Sequence, residues 1–395
     1  MKISIKMLAV LLLIPSYGRA QDSMSTMHRQ AVHNNGQFKP TKSKFMMRGY
    51  FETYFDYQKV EQSERNNMAI GSISPIMMYR ESNKLFFEAE FNAFFEDDEV
   101  KAEIEYADMS YVLNRYMTLR AGYFLLPFGT FNEKLHPPWI NRSFSKPLGF
   151  SQTSLIPSND VGFELRGAFL LSGFKLNYQA YVVNGPHLVA EDGEHKFAGM
   201  LDFGYHTDNN WNKSIGGRLG FFPFSNSMLE IGLSGFQGTV GTDHTEYENV
   251  AVDMAALDVS FVRKLDFIHG IIDIKAQLNS VKVDRADYIV DDSTGTTYTF
   301  DNNSTAHYAQ ISYRPVISSK HIRRIEAVYR YSVLNTPVGA SWEQNASEIS
   351  AGLNYWIDWR TVIKCNYRTQ NGLLGSENHV MAQSHHFVVQ WAMGF

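Results

Sequence analysis

The chain has one cysteine, Cys365, among 395 residues. That excludes an internal disulfide framework and any metal site built from several thiolates. A basic excess is missing as well: 36 Lys and Arg stand against 41 Asp and Glu, a formal charge of −5. The clustered positive face of a nucleic-acid binder is therefore not expected. No G-x-S-x-G, H-E-x-x-H or P-loop spacing occurs, so the common hydrolytic and phosphate-binding constellations have no foothold. Beyond the first twenty residues no apolar run approaches the roughly 18 residues that mark a membrane-spanning helix. Aromatics, in contrast, are plentiful. Phe, Tyr and Trp make up 14% of the chain, and they are scattered through polar stretches instead of gathered into blocks.

Met1 to Ala20 reads as a secretory leader: Lys2 and Lys6 give a positive start, Met7–Pro15 an apolar core, and Gly18-Arg19-Ala20 a small-residue cleavage pattern. A mature start at Gln21 is expected, followed by a polar periplasmic segment over 21–44. The apolar core is far shorter than the roughly 20 residues needed to cross a hydrocarbon layer.

From Phe45 to Phe395 the apolar residues recur at every second position. Between Lys84 and Glu96, Leu85, Phe87, Ala89, Phe91, Ala93 and Phe95 share one face, while Glu88, Glu90, Asn92 and Glu96 share the other. This is strand periodicity, because successive Cβ atoms point to opposite sides. It recurs over Met117–Leu125, Val161–Leu171, Ile271–Ser280, Arg324–Val333, Ile349–Tyr355 and Phe387–Phe395. The phase slips near Ala107-Asp108, where a β-bulge restores register. Short connectors such as Glu81–Asn83 and Ser172-Gly173 alternate with long polar ones: Gln58–Ile70, Pro127–Asp160, Gly185–Asn212, Gly238–Asn249, Asp284–Asn303 and Asn335–Asn345. Together these predict an all-β fold: a transmembrane antiparallel barrel of about 16 strands with short periplasmic turns and long extracellular loops. A propeller would show internal repeats of about 40–50 residues, and none is present. A chain that is apolar on only one face of each strand also accounts for a mean hydropathy of −0.27. The last strand, apolar at Phe387, Val389, Trp391, Met393 and Phe395, suits recognition by the barrel-insertion machinery of a Gram-negative outer membrane. Tyr57, Tyr79, Tyr111, Tyr355 and Trp391 fall near strand ends, where interfacial girdles are expected.

Charges share a parity, and at the lipid face they cost about 2–4 kcal/mol near the midplane; the shared face therefore points to water. Arg48, Arg80, Arg120, Arg166, Arg218, Lys275, Arg314, Arg324, Arg330, Lys364 and Arg368 fall on it. So do Glu52, Asp56, Glu88, Glu90, Glu96, Glu103, Glu105, Glu164, Asp258, Asp273, Glu326 and Glu348. Sixteen strands leave an aqueous lumen. Glu88, Glu90, Glu96, Glu103 and Glu105 crowd onto two adjacent strands while the basic residues spread over many, which would set a field across the pore. The acids and bases nearly balance, so counting alone predicts no strong ion selectivity. The long segment 127–160 carries Pro127, Pro137, Pro138, Pro147 and Pro157, together with Trp139, Glu133, Lys134, Arg142 and Lys146. Such a loop is functional or disordered, and its prolines and aromatics favour order. It either folds inward to constrict the pore or forms an extracellular cap. The pore-lining and constriction candidates are Arg48, Glu88, Glu90, Glu103, Glu105, Arg120, Glu133, Lys134, Arg142, Lys146, Arg166, Arg218, Arg314, Arg330 and Arg368.

Around this segment the chain resembles the phosphate-selective porin O and P family, in the divergent form found among Bacteroidetes-like bacteria. The resemblance is carried by Leu119-Arg120-Ala121-Gly122-Tyr123-Phe124, Pro127-Phe128-Gly129, Asn132–Arg142, Pro157 and Asp160-Val161-Gly162-Phe163-Glu164-Leu165, with Gly167. It covers about 50 residues and implies a trimeric, 16-stranded channel narrowed by an inward loop. The family's arginine ladder and lysine cluster have no counterpart here, so phosphate selectivity does not carry over. The expected function is passive diffusion of small hydrophilic solutes or ions, including anions, with outer-membrane lipid as the surroundings and no cofactor or metal. The alternatives are a non-conducting adhesin or surface-binding barrel and an outer-membrane lipid hydrolase. Ser384, His385 and His386 are adjacent, and neighbouring strand residues face opposite ways, which argues against a catalytic group there.

Overall fold

The period-two alternation is realised as sixteen antiparallel strands that close on themselves. The computed structural model describes residues 44–395 except 61–62, 97–98, 152–154, 191–196, 205–206, 292–295, 318, 320 and 374–380. The expected leader and nearly all of the polar segment lie outside the described residues; Lys44, at the end of that segment, opens the first strand. The barrel strands are β1 Lys44–Val60, β2 Ser63–Arg80, β3 Leu85–Glu96, β4 Glu99–Asn114, β5 Met117–Leu125, β6 Asn159–Leu171, β7 Phe174–Val183 and β8 Ser214–Phe222. They continue as β9 Leu229–Thr239, β10 Ala251–Leu265, β11 Gly270–Val283, β12 Asn303–Pro315, β13 Ile325–Asn335, β14 Asn345–Trp356, β15 Thr361–Leu373 and β16 Met381–Gly394. Closure pairs β1 with β16, Phe51 opposite Met393 and Phe55 opposite Val389. Gly49 and Phe395 exchange backbone hydrogen bonds of 3.1 and 2.9 Å beside that seam.

The two faces invert the order of a water-soluble barrel. Leu233 on the outer face is 60% exposed, while Arg218 and Arg330 on the inner face are 1% and 0% exposed. Apolar side chains outside and charged ones inside are what a hydrocarbon surrounding requires. Cys365 is exposed at the outward parity. Exposed Tyr79, Tyr111, Trp359 and Trp391 occupy strand ends and turns, where amphipathic rings suit an interface.

Three expectations are corrected. The stretch Gln58–Ile70 is not a long loop; β1 and β2 run through it, with Tyr57 opposite Asn66 and Lys59 opposite Glu64. Its apolar period fades because this end of the hairpin has no lipid face to satisfy, so a paired strand reads as a polar connector. The phase slip lies two residues earlier than expected. Glu90 pairs with Tyr106 and Phe91 with Ile104, which leaves Glu105 as the extra residue and turns both Glu105 and Tyr106 inward, 9% and 7% exposed. Arg324 is not on the inner face. It ends a short 3-10 turn, Ile322–Arg324, and is exposed, because the strand parity begins only at Ile325.

Connections on one rim are short, such as 115–116 and 172–173. On the other rim the connection between β5 and β6 and the four that follow it are long, and two carry small hairpins, His187–Leu188 with Leu201–Asp202 and Tyr288–Asp291 with Thr296–Tyr298. Near this rim the strand pattern turns over. Asp253, Ser280 and Lys282 face outward and are exposed, while Val252, Met254, Val281 and Val283 face inward and are buried. Those inward side chains join Phe124, Phe128, Phe131, Phe150, Ile156, Tyr181, Phe236, Tyr308 and Leu334 in one hydrophobic core. Aromatic edge contacts at 5.1–5.6 Å link Phe131, Phe150 and Tyr308 within it.

Candidate functional site: the segment across the barrel interior

The segment between β5 and β6 leaves the wall at Leu126, whose N–H bonds Ser158 O at 3.0 Å, and Phe128 N–H turns back to Leu126 O at 2.8 Å. Pro127 offers no N–H, so it loses nothing in this tight turn. Gly129 then adopts φ +67°. A Cβ there would meet the Gln277 amide at 2.0 Å and displace it, and the left-handed conformation favours glycine. Gly129 N–H donates to Ser234 Oγ of β9 at 3.0 Å. Thr130 and Phe131 N–H both donate to Gln277 Oε1 of β11, at 3.0 and 3.2 Å. Two polar side chains of the inner face thus receive three backbone donors that would otherwise be buried unpaired, each costing about 1–3 kcal/mol. A single π-helical turn follows, Phe131–Leu135.

Beyond that turn the segment meets inner-face side chains around most of the circumference. Glu133 pairs with Arg166 of β6, which also reaches Glu164 Oε1 at 2.7 Å. Arg120 of β5 bonds the other Glu164 oxygen at 3.2 Å and Asp108 of β4 at 2.7 Å. Lys134 bonds Glu230 of β9 at 3.0 Å, and Glu230 shares Arg218 with Asp258 at 2.8 and 2.6 Å. Arg142 lies 3.4 Å from Glu326 and 3.7 Å from Asp273, stacked 4.9 Å from the Trp356 ring. Arg330 of β13 is fully buried and donates to Ser145 O and Ser145 Oγ, each at 2.7 Å, and to Glu348 Oε1 at 3.1 Å. Arg368 approaches the second Glu348 oxygen at 3.5 Å. Ser143 and Ser350 hydroxyls meet at 2.7 Å, and Asn354 donates to Arg142 O at 2.9 Å. Buried ion pairs of this kind add little net stability, but leaving one partner alone is costly, so the network fixes the path of the segment.

One stretch descends to the opposite rim. Trp139 packs against Trp356, Val362 and Ala392 at the short-turn ends of β14, β15 and β16, edge-on to Trp359 with ring centroids 6.5 Å apart. Lys364 of β15 holds it there through Pro138 O and, at 3.3 Å, Ser143 O. His136 turns the other way; its Nε2 lies 3.8 Å from Glu90 Oε1 on β3.

The sequence candidates therefore fall into groups. Arg120, Arg166 and Glu133 share one network, Lys134 and Arg218 meet through Glu230, and Arg330 and Arg368 meet through Glu348. Glu88 and Glu90 accept hydrogen bonds from Tyr106 and Tyr50 at 2.8 and 2.6 Å, and Asn92 donates to Glu103 at 3.1 Å. Lys146 lies in electrostatic reach of Glu52 and Glu105. Arg48 and Arg314 stand apart, near the short-turn ends of β1 and β12. Glu230, Ser234, Gln277, His136 and Trp139 were not among the candidates. Parity alone marks Glu230, Ser234 and Gln277 as inward; no local signal ties them to a segment about a hundred residues away. On β16, His386 faces Asp56 inside at 3.6 Å, and His385 bonds Tyr367 outside at 2.7 Å. The two histidines are thus split between faces, as strand geometry demands.

No family model matches the chain. One relative, an uncharacterised protein of Aquifex aeolicus, is 26% identical over 259 residues, 61% of this chain; the chain spans about half, 54%, of that relative. Among solved structures the barrel is similar to the outer-membrane channel DcaP of Acinetobacter baumannii (TM-score 0.58, 8% identity, 90% of this chain and 98% of that one). It is similar to an anion-selective porin of Comamonas acidovorans (0.56, 13%, 90% and 100%) and to a trimer form of OmpT, an outer-membrane protein of Vibrio cholerae (0.50, 11%, 90% and 100%). The fold is a porin-type closed barrel. The narrower resemblance to the phosphate-selective family is not shown by these likenesses.

Proposed function

We propose that the protein is an outer-membrane channel for passive diffusion of small hydrophilic solutes, with segment 127–160 as its constriction. The observation carrying this reading is the anchorage of that segment to inner-face side chains from β3 to β15, which leaves a barrel of porin width only partly filled. The charged inner face supports water inside, and the apolar outer face supports lipid outside. A cleaved leader over residues 1–20 and export to the outer membrane belong to the same reading. So does assembly as a trimer, for which the trimeric OmpT neighbour is the support. Descent shared with the phosphate-selective porins is supported by the Pro127-Phe128-Gly129 turn and the Asp160-Val161-Gly162 return. The turn's glycine and the bond from Gly185 N–H to Asp160 Oδ2, 2.7 Å, both have structural work at the ends of the segment.

The decisive experiment is single-channel recording of the purified barrel in a planar bilayer. Discrete conductance steps are expected. Replacing 131–150 with a short glycine linker should raise the step size several-fold, because the segment occupies the interior. A barrel that inserts without passing current would end the channel reading and favour a surface-binding role. Unchanged steps in the loop-replaced variant would remove the segment as the constriction.

A further inference from the structure

We infer that the cavity beside segment 127–160 is a binding subsite for an uncharged, polyhydroxylated solute of the size of a mono- or disaccharide. The inference rests on the channel reading and adds the class of solute taken up on this side of the interior.

The cavity lies between the segment and β2 to β7 and holds about 500 Å³. That volume falls within the roughly 300–1,000 Å³ usual for sites of small organic molecules. It extends to the β4–β5 turn, where Asn114 and Arg115 are exposed. The strands supply inward side chains at every second position, and His136, Pro137 and Ile140 of the segment close the opposite side.

Charge in this wall is engaged by other charge of the barrel. Arg120 is held by Asp108 and Glu164, Arg166 by Glu164 and Glu133, and Lys134 by Glu230. Glu88 accepts a hydrogen bond from Tyr106 and lies in electrostatic reach of Arg120. Glu90 accepts one from Tyr50 and faces His136 at 3.8 Å. Arg115, at the mouth, is exposed over the Tyr116 ring at 4.6 Å. An ion of either sign entering the cavity would shed hydration and meet groups already committed to each other, so it would not recover what it lost.

What the wall leaves over is neutral. Asn177 and Gln179 of β7 line the cavity, and among the described residues their amide oxygens have no hydrogen-bond partner. Buried polar groups are ordinarily paired. A hydroxyl both donates and accepts, so it can serve such amides without bringing a charge. Beside them stand Ile76, Val112, Ile140 and the Tyr106 ring, an apolar surface for the C–H face of a sugar ring. Apolar walls with a few convergent polar groups are the usual composition of a small-molecule site.

The test is saturation-transfer NMR on the full barrel in lipid vesicles with maltose as the probe, beside planar-bilayer recording of the same preparation. Saturable binding of maltose is expected, and equal concentrations of inorganic phosphate or putrescine should not displace it. Displacement by either ion would overturn the uncharged class. The double variant Asn177→Leu, Gln179→Leu should raise the half-saturating maltose concentration about tenfold or more, the loss expected from two hydrogen bonds to an uncharged ligand. Ile140→Trp, which fills the cavity from the segment side, should abolish binding, and it serves if the amide variant does not fold. Binding unmoved by these changes would overturn the site. In the bilayer, maltose should lower the current over the same concentration range. A barrel that binds maltose but passes no current would end the channel reading and keep the site. A conducting barrel with no saturable maltose signal would end the site and keep the channel.

Discussion

The two sides of the barrel interior solve the same problem with opposite chemistry. Between β7 and β14, inward Val252, Met254, Val281 and Val283 share one core with Phe131 and Phe150, and the deeper acids Asp258 and Glu348 are matched by Arg218 and Arg330. Between β1 and β4 inward carboxylates are held by phenols and amides; Glu88 and Glu103 stay half-buried, while Glu90 is 1% exposed. Parity along a strand settles which way a side chain points. Whether it meets water, a cation or a phenyl ring is decided by the segment packed over it. One wall is therefore the main support for the segment, and the other meets it at Tyr54, edge-on to Phe144, and at Glu90, beside His136.

The sharpest way to break that contrast is to empty the dry side. Phe150→Ala removes a ring 1% exposed at the centre of the core and should cost about 3–5 kcal/mol, measured by urea unfolding in lipid vesicles. A loss below about 1 kcal/mol would mean that the space is already wet, since a collapsed or hydrated site carries little cavity penalty. Arg330→Ala comes next. It removes the donors to Ser145, and it leaves Glu348 with Arg368 as its remaining charged partner at 3.5 Å. About 3 kcal/mol is expected, the low end for breaking a buried pair because that second cation is nearby. Conductance should become noisier as the segment loses its clamp. Folded barrels with wild-type current traces would show that the clamp is dispensable. Gly129→Ala is smaller, about 2 kcal/mol from the left-handed backbone and the crowding of Gln277; pairing it with Gln277→Ala, which clears the space, should recover part of the loss.

How much of this was legible in the sequence depends on the distance between the parts. The alternation in Leu85–Glu96 needs only neighbouring residues, so the strands, their closure into a barrel of sixteen and the inward parity of Arg218 or Arg330 could be read directly. The Gln58–Ile70 hairpin could not, because beyond the lipid both faces are polar and period two loses its contrast. For the same reason inward Val252 and Met254 gave no warning of a core: the chain there is apolar inward and polar outward, the reverse of the rule that holds lower down. The segment 127–160 announced itself through length and proline. Its partners did not, since Gln277 follows Thr130 by 147 positions and nothing local links a glutamine on β11 to a turn after β5. Trp139 read as an ordering residue, and its seat at the far rim became visible only with the barrel closed.

The finest test of the supporting wall is a pair of hydroxyls. Ser143 of the segment and Ser350 of β14 meet at 2.7 Å, both buried, with no charge to complicate the reading. Ser143→Ala should cost about 1 kcal/mol, because it leaves the Ser350 hydroxyl buried with one partner fewer. Ser350→Ala should cost a similar amount for the same reason. The double variant removes donor and acceptor together, and replacing both ends of a bond is nearly neutral when the space stays filled; it should therefore lie well below the sum of the singles. A double-mutant cycle in urea unfolding measures that difference. Strict additivity would mean that the two hydroxyls do not interact, and that the segment is held at this height by Arg330, Asn354 and Lys364 instead. A coupling near 1 kcal/mol would place the segment against β14 in the membrane-embedded protein, and with it the closed side of the interior.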